Sequence, residues 1–376
     1  MRVVLVAGEA SGDLLAASLL GGLRQRWPAL VAAGIGGPLM QAGGFDAWWP
    51  SDALAVRGYV EVLRHYRRIA AIRAALAERV LADPPAALIG VDAPDFNLGL
   101  ERRVKARGVP TVHFVCPSIW AWRGARARSL AASADLVLCL FPFEPALLER
   151  HGVRATYVGH PLADAIPLEP PRAAARAALG IAADATVVAL LPGSRRSEIR
   201  YIAPAFLGAA ERLLRQRPGL RFVLPVAPGL RPLVDPLLAA AGERLGVLAT
   251  DGRSHEALAA CDVALVASGT ATLEAALYKR PMVIGYRMHP LSWQLMKRMA
   301  YLPWVGLPNV LARGFVVPEC IQERCTPEVL ASELSGWLDA PERVEALRRR
   351  FVALHHELQR DTARSATDAI AGVADA

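Results

Sequence analysis

The stretch VVLVAGEASGD, residues 3–13, decides how the rest of the chain is interpreted. A short apolar run is followed by a glycine loop and then by a segment with helical periodicity, which is typical of the first strand, turn and helix of an α/β domain. The stretch VVALLPGSRRSE, residues 187–198, repeats this order about half a chain later. We therefore predict two doubly wound domains that face each other across a cleft.

Further short apolar runs fit strands that are buried on both faces of a parallel sheet, and helical periods lie between them. The chain between Pro161 and Pro171 holds four prolines and is predicted to be the hinge. We predict an N-terminal domain over residues 1–165 and a C-terminal domain over residues 172–340, with the last helical segment, 341–376, as a candidate to complete the first domain. The runs predicted as strands are 3–7, 87–91, 111–115, 136–140 and 156–158 in the first half, and 187–191, 221–226, 263–267 and 282–286 in the second.

The composition excludes several classes of protein. Of the 376 residues, 53% are hydrophobic and 21% are charged, so the chain can form a core. The net charge of +8 permits a phosphate or an anionic lipid as partner, but no concentrated basic patch for nucleic acid is visible. None of the three lysines follows a glycine, which excludes a P-loop. The five cysteines are scattered and fit a reducing cytoplasm, and no apolar run is typical of a signal peptide or a membrane-spanning helix.

Two loops of the first half carry residues that could act chemically. The glycines of the loop from Gly8 to Asp13 allow a ligand to come close, although Ser11 or Asp13 could equally cap the following helix without any ligand. Asp92 follows a predicted strand, and Pro94 disfavours helical geometry at the residue before it. Asp92 should therefore project at the carboxyl edge of the sheet, where it could act as a base or simply cap a helix.

Two loops of the second half resemble phosphate sites. The segment Pro192–Glu198 is a glycine turn before a helix, where backbone N–H groups and the helix dipole favour a phosphate and Arg195 could add a bidentate contact. Two solvated arginines at a helix start are the alternative. The segment Ser268–Glu274 could hold a second phosphate, and Glu274 could accept from a ribose diol; taken alone, this segment would be only a capped helix.

A basic stripe with helical spacing occupies residues 63–76. A basic amphipathic helix can lie on an anionic membrane surface, but a core-facing helix with solvated arginines explains the same pattern. The eight histidines show no metal-binding spacing, and we expect His113 and His160 to be packed and hydrogen-bonded. The apolar positions of the stripe are Leu63, Tyr66, Ile69, Ile72 and Leu76, and its arginines are Arg64, Arg67, Arg68 and Arg73.

Seven blocks of the sequence together resemble those of the lipid-A-disaccharide synthase family. The matches run in order from about residue 3 to about residue 325. The resemblance implies a GT-B glycosyltransferase of the bacterial lipid A pathway, with two Rossmann-like domains. The blocks are VAGEASGD (6–13), DAPDFN (92–97), PSIWAW (117–122), VGHP (158–161), LPGSR (191–195), ASGT (267–270) and LPN (307–309).

The resemblance implies an inverting transfer from UDP-2,3-diacylglucosamine to 2,3-diacylglucosamine 1-phosphate, which gives a β-1,6-linked disaccharide and UDP without a metal or other cofactor. Asp92 is implied as the catalytic base. Because both substrates carry acyl chains, the basic stripe becomes a candidate for docking on the inner face of the cytoplasmic membrane, and a homodimer is compatible with the family. The implied acceptor-binding residues are Glu9, Ser11, Gly12, Asp13 and Asn97; the implied UDP-binding residues are Gly193, Ser194, Arg195, Ser268, Gly269, Thr270, Glu274 and Asn309.

Two other classes stay open at this point. One is a related GT-B enzyme that uses a soluble or peptidoglycan-type acceptor, or a UDP-sugar epimerase. Release of UDP only in the presence of a diacylated acceptor would exclude this class. The other is a non-catalytic protein that binds a nucleotide sugar or a lipid, for which Asp92 and Arg195 would be dispensable for turnover.

Overall fold

The computed structural model describes residues 1–54, 59–117, 126–299 and 302–374; it describes only the backbone of Ala10, residues 59–66, Arg126, Leu291, Leu295 and residues 297–299. By their internal contacts the residues divide into two units, Met1–Asp164 together with Glu357–Ala376, and Ala165–His356. Only residues 357–376 of the last segment join the first unit. The candidate segment 341–376 was longer, because residues 341–356 belong to the second unit.

The first unit contains a parallel sheet whose described strands are β1 (Arg2–Ala7), β2 (Val31–Gly36), β3 (Asp46–Pro50), β4 (Ala87–Val91), β5 (Thr111–Phe114), β6 (Leu136–Cys139) and β7 (Ala155–Tyr157). Their order is β3-β2-β1-β4-β5-β6-β7, so the direction of winding reverses between β1 and β4. Ligands bind at such a switch point, beyond the carboxyl ends of the strands. Because Ala7 pairs with Val91, the turns that follow β1 and β4 lie side by side.

The second unit contains another parallel sheet, with the described strands β8 (Val187–Leu191), β9 (Arg221–Val226), β10 (Val247–Asp251), β11 (Val263–Ala267), β12 (Met282–Tyr286) and β13 (Glu319–Ile321). The order is β10-β9-β8-β11-β12-β13, and the winding reverses between β8 and β11. Val266 pairs with Leu191, which brings the turns after β8 and β11 together. The prediction of two doubly wound α/β sheets is confirmed.

Helices connect the strands of both sheets. Those of the first unit are α1 (Ala10–Arg26), α2 (Pro38–Ala42), α3 (Tyr59–Ala82), α4 (Pro94–Lys105), α5 (Arg126–Ser133), α6 (Glu144–Glu149) and α7 (Pro161–Ala165), which reaches the boundary. Those of the second unit are α8 (Arg172–Ala178), α9 (Arg196–Gln216), α10 (Arg231–Ala241), α11 (Ser254–Ala260), α12 (Thr270–Leu277), α13 (Pro290–Met299), α14 (Leu307–Ala312), α15 (Pro327–Leu338) and α16 (Pro341–Leu358). The last helix, α17 (Thr362–Ala374), belongs to the first unit.

Successive residues of β1 face opposite sides of the first sheet, and both sides are covered. Val3 and Leu5 belong to one apolar cluster with residues of α1 and α17. Val4 and Val6 belong to another cluster with residues of α3 and α4. A strand that is buried on both faces needs apolar residues at every position, which explains the uninterrupted run at residues 3–7.

The start of the last helix is capped by a carboxylate of the first unit. Asp164 accepts hydrogen bonds from the backbone N–H groups of Arg360 at 3.2 Å, Asp361 at 3.1 Å and Thr362 at 2.7 Å. These groups lie at the start of α17, where helix N–H groups have no partner within the helix. Asp164 therefore caps a helix that is almost 200 residues away in sequence. None of the described helices is long and apolar enough to cross a membrane.

Candidate active site

Asp92 lies in a turn with unusual backbone geometry, directly after β4. Asp92 and Ala93 both have positive φ angles, 51° and 43°, a conformation that costs energy for residues other than glycine. The backbone N–H of Asp92 donates to Phe114 O at 2.8 Å. The side chain of Asp92 is partly exposed at the switch point of the sheet, as the position of Asp92 after an apolar run predicts.

Asn97 fixes this turn from below. Its side-chain amide donates to the carbonyl oxygen of Asp92 at 2.8 Å and, at longer range, to those of Val91 and Val6. Asn97 itself is fully buried. This placement corrects the expectation that Asn97 contacts the acceptor: the residue holds the Asp92 turn instead of facing a ligand.

The turn after β1 contributes two exposed polar side chains and one buried carboxylate. Glu9 and Ser11 are exposed next to the Asp92 turn, whereas Gly12 is buried against the backbone of β4. Asp13 is only 3% exposed. Its carboxylate accepts hydrogen bonds from the N–H groups of Gly37 at 3.0 Å, Leu39 at 3.0 Å and Met40 at 3.1 Å. The expectation that Asp13 contacts the acceptor is therefore corrected, because Asp13 caps α2.

A buried pair of a glutamate and a histidine lies near the same turn. Glu101 of α4 and His113 of β5 are fully buried, with Oε1 and Nδ1 2.7 Å apart. Burial raises the pKa of Glu101, and the neighbouring His113 opposes this shift. Gly90 lies against both Glu101 and Asn97, so a side chain at Gly90 would collide with them. His113 is packed and hydrogen-bonded, as expected, and ties α4 to the sheet beneath Asp92.

In the second unit, a cavity of about 370 Å³ opens between the turns after β8 and β11. It therefore lies at the switch point of this sheet. Pro225 and Gly252 mark its far side, at the carboxyl ends of β9 and β10. The residues expected for UDP that line the cavity are Gly193, Ser194, Arg195, Ser268, Gly269, Thr270 and Glu274.

The start of α9 is capped by a carboxylate of the protein itself. Glu198 Oε2 accepts from the backbone N–H groups of Ser194 at 2.8 Å and Arg195 at 3.1 Å. This bonding corrects the expectation that these N–H groups are free for a phosphate. Glu198 Oε1 also lies 3.6 Å from the guanidinium of Arg195, whose side chain is 76% exposed. The guanidinium thus remains available to a ligand in the cavity.

The start of α12 differs, because in the described part of the chain no side chain caps its first N–H groups. An uncapped helix N-terminus carries a partial positive charge and favours an anion. Glu274 lies one turn further along α12, and burial raises its pKa while His255 opposes this shift. The cavity therefore combines an open helix start, one exposed guanidinium and one carboxylate.

Asn309 is buried below the cavity rather than lining it. Its side-chain amide donates to Val317 O at 2.9 Å and to Glu319 Oε1 at 2.8 Å, and its oxygen accepts from the N–H groups of Val316 at 2.8 Å and Val317 at 3.0 Å. All its hydrogen-bonding capacity is thus used, which corrects the expectation of a direct contact with UDP. Glu319, which the sequence did not single out, belongs to the same network; an acidic residue at the start of an apolar strand run is its only sequence signature.

The basic stripe is divided between the core and the surface. Ile72 and Leu76 are buried in a core cluster of the first unit, and Ile69 packs against it. The expectation that Ile69 and Ile72 dock on a membrane is therefore corrected: Ile72 is a core residue, and Ile69 packs against the core. Arg67 and Arg68 are exposed, and Arg73 is partly buried with its guanidinium 3.5 Å from Asp95 O. The side chains of Leu63, Arg64 and Tyr66 lie outside the described part of the structure.

Comparison with known proteins assigns the chain to a family. The family model described as Lipid-A-disaccharide synthetase matches residues 3–370. A lipid-A-disaccharide synthase from Verminephrobacter eiseniae is 57% identical over 375 residues, which cover 98% of this chain and 96% of the relative. The chain belongs to the lipid-A-disaccharide synthase family. A second synthase, from Albidiferax ferrireducens, is 56% identical with the same coverage, 98% and 96%. The chain is therefore a glycosyltransferase that forms the lipid A disaccharide.

Solved structures of other proteins share the fold of this synthase at low sequence identity. UDP-GlcNAc 2-epimerase from Neisseria meningitidis, bound to UDP-GlcNAc, gives a TM-score of 0.68 at 13% identity and 99% coverage of both chains. MurG from Acinetobacter baumannii gives 0.62 at 15% identity, again with 99% coverage of both. Likeness at these identities concerns the fold alone, and it confirms the GT-B prediction.

Proposed function

We propose that the chain transfers the sugar of UDP-2,3-diacylglucosamine to the 6-hydroxyl of 2,3-diacylglucosamine 1-phosphate, with inversion at the anomeric carbon. The new bond joins the acceptor oxygen to the anomeric carbon, and the bond to the β-phosphate oxygen of UDP breaks with its electron pair. The proton of the hydroxyl passes to a base. A single displacement of this kind needs a base, a stabilised leaving group and no covalent nucleophile of the enzyme.

The observation that carries the proposal is the cavity of the second unit. Its uncapped α12 start offers N–H groups of Thr270 and Ala271 to the pyrophosphate, and the exposed guanidinium of Arg195 adds a charge-assisted bond. Glu274 can accept from the ribose hydroxyls. The Neisseria epimerase of the same fold is bound to UDP-GlcNAc, which supports a UDP-sugar as the class of ligand.

In the first unit, we assign the role of base to Asp92. Its partly exposed carboxylate projects from a turn that Asn97 and Phe114 hold by their hydrogen bonds. A rigid turn keeps the carboxylate in one orientation, which supports proton transfer. The exposed side chains of Glu9 and Ser11, next to this turn, are the candidates for contacts with the acceptor sugar.

The leaving UDP is proposed to be stabilised without a metal ion. The helix start of α12 and the guanidinium of Arg195 are fixed positive groups aimed at the place where negative charge develops. Among the described residues, no group of three or more His, Cys, Asp and Glu side chains could hold a metal ion. If the helix start and the guanidinium supply the positive charge, addition of a chelator should leave turnover unchanged.

We further propose that the chain docks on an anionic membrane surface through the arginines of α3. Arg67 and Arg68 are exposed, and each arginine near such a surface contributes about 1 kcal/mol. Replacement of Arg64, Arg67 and Arg68 together by serine should weaken binding to anionic vesicles at low salt, while UDP affinity stays unchanged. Equal vesicle binding by the variant and the wild type would remove α3 from this role.

The decisive experiment is incubation of the purified chain with UDP-diacylglucosamine and the diacylated monosaccharide phosphate, followed by mass spectrometry. We expect a disaccharide 1-phosphate and one equivalent of UDP, and nuclear magnetic resonance of the product should show a β-linkage. A product with an α-linkage would contradict inversion. Release of UDP without the lipid acceptor, or conversion of the UDP-sugar into its epimer, would instead favour the other classes left open by the sequence.

A further inference from the structure

A small apolar surface of the second unit stands out because two exposed side chains accompany a partly buried tryptophan. Phe315 is 65% exposed and Val305 is 42% exposed. The ring of Trp304 meets the Phe315 ring edge-on, with centroids 6.3 Å apart. We call Trp304, Val305 and Phe315 the apolar ridge. Exposed clusters of this kind commonly mark binding sites, because water-exposed apolar area is costly.

The apolar ridge is held in place by buried polar groups. The carboxylate of Glu319 accepts from the backbone N–H groups of Val305 at 3.0 Å and Gly306 at 2.9 Å. Asn309 binds the N–H of Val316, the residue after Phe315, at 2.8 Å. One flank of the ridge is thus tied to β13 and the other to α14, so the exposed side chains stand on a fixed backbone.

The apolar ridge also adjoins the cavity directly. Ser268 lines the cavity, and its hydroxyl donates to Val305 O at 3.0 Å. Thr272 of α12 accepts from the N–H of Leu307 at 3.3 Å. The turn assigned to the donor pyrophosphate is therefore bonded to the loop that carries the ridge.

We propose that the apolar ridge binds an acyl chain of the nucleotide-sugar donor. This inference rests on the proposed function, in which the donor sugar carries acyl groups on C2, the neighbour of the anomeric carbon, and on C3. With the pyrophosphate at Ser268 and the start of α12, the acyl groups emerge beside the ridge. A hydrocarbon chain can cover Val305 and Phe315 without leaving any polar group unpaired, and the ridge then acts as a determinant of donor specificity.

The test compares donors that differ only in acyl chain length. For the wild type, the KM for the donor should fall as the chains lengthen. Val305→Ser combined with Phe315→Ser should raise the KM for the long-chain donor about tenfold, while the KM for a short-chain donor and the affinity for UDP stay within about twofold. Phe315→Leu, which keeps an apolar side chain, should restore most of the long-chain preference.

Leu248→Ser is the matched control, because Leu248 is 38% exposed on the edge strand β10, at the opposite edge of the same sheet from β13. It should leave chain-length dependence unchanged. The inference is overturned if the double variant keeps the wild-type dependence on chain length. It is also overturned if the only change in the variant is weaker vesicle binding or a different oligomeric state. If the wild type makes no disaccharide from any diacylated donor, the proposed function fails before the variants are compared.

Discussion

Replacement of Asn309 by alanine tests whether this residue supports the site or touches the ligand. In the structure, the carboxamide makes four hydrogen bonds to Val316, Val317 and Glu319, and it is fully buried. The variant leaves the buried N–H and C=O of Val317 without their partner. The N–H of Val316 lies nearer to water, and Glu319 keeps its bonds to Val305 and Gly306.

The magnitude follows from the two groups of Val317 that lose their partner. A buried polar group without a hydrogen bond costs about 1–3 kcal/mol, so for two groups we expect the free energy of unfolding to fall by about 2–6 kcal/mol. For a unit of this size the loss should lower the melting temperature by about 10 °C. Calorimetry of the full chain measures the change, and titration with UDP at low temperature reports on the molecules that remain folded.

The outcome separates two roles. If Asn309 supports the loop, stability falls sharply and the folded fraction binds UDP with less than about a fivefold loss. If stability is unchanged while UDP affinity collapses, Asn309 contacts the donor and our reasoning is refuted. Asn97→Ala is a matched control, because Asn97, the other asparagine of the chain, is equally buried but lies in the first unit. It should lower kcat and leave UDP affinity unchanged.

Three further predictions concern the chemistry and the pH dependence. Asp92→Asn should lower kcat by about 10²–10⁴-fold with UDP affinity intact, and near-normal turnover would remove Asp92 as the base. Arg195→Ala should weaken UDP binding about tenfold by calorimetric titration, since its guanidinium is solvent-exposed and its bond to phosphate is charge-assisted; an unchanged affinity would place the pyrophosphate elsewhere. Burial lowers the pKa of His160 to about 4 from an ordinary value of 6.5, so the folded state resists a proton that the unfolded chain accepts. The contribution of neutral His160 to the free energy of unfolding should therefore be fully present above pH 6.5 and fall by about 3 kcal/mol towards pH 4. Denaturation curves of His160→Gln measured across that range should lack this pH-dependent loss.

Most strands, among them the edge strand β7, were predictable from short apolar runs, whereas the inner strand β2 and the edge strands β3, β10 and β13 were not. The runs at β4 and β8 are apolar at every position because both faces of those strands are covered, and burial on both faces leaves a continuous pattern. β2 contains Gly34 and Gly36, β3 is half-exposed, and β13 has three residues. These segments form strands because they pair with a neighbouring strand, and the local sequence pattern does not show this pairing.

The sequence by itself determined the two doubly wound domains, the family, and which loops follow the carboxyl ends of the strands. Only the tertiary structure decided what the polar side chains in those loops do. Asp13 and Asn309 sit in family motifs, yet one caps α2 and the other is enclosed with Glu319. The physical reason is that a carboxylate or an amide satisfies a backbone N–H group and a ligand hydroxyl by the same bond. Which of the two it meets depends on segments such as residues 37–40 or 316–319, and folding alone brings these into place.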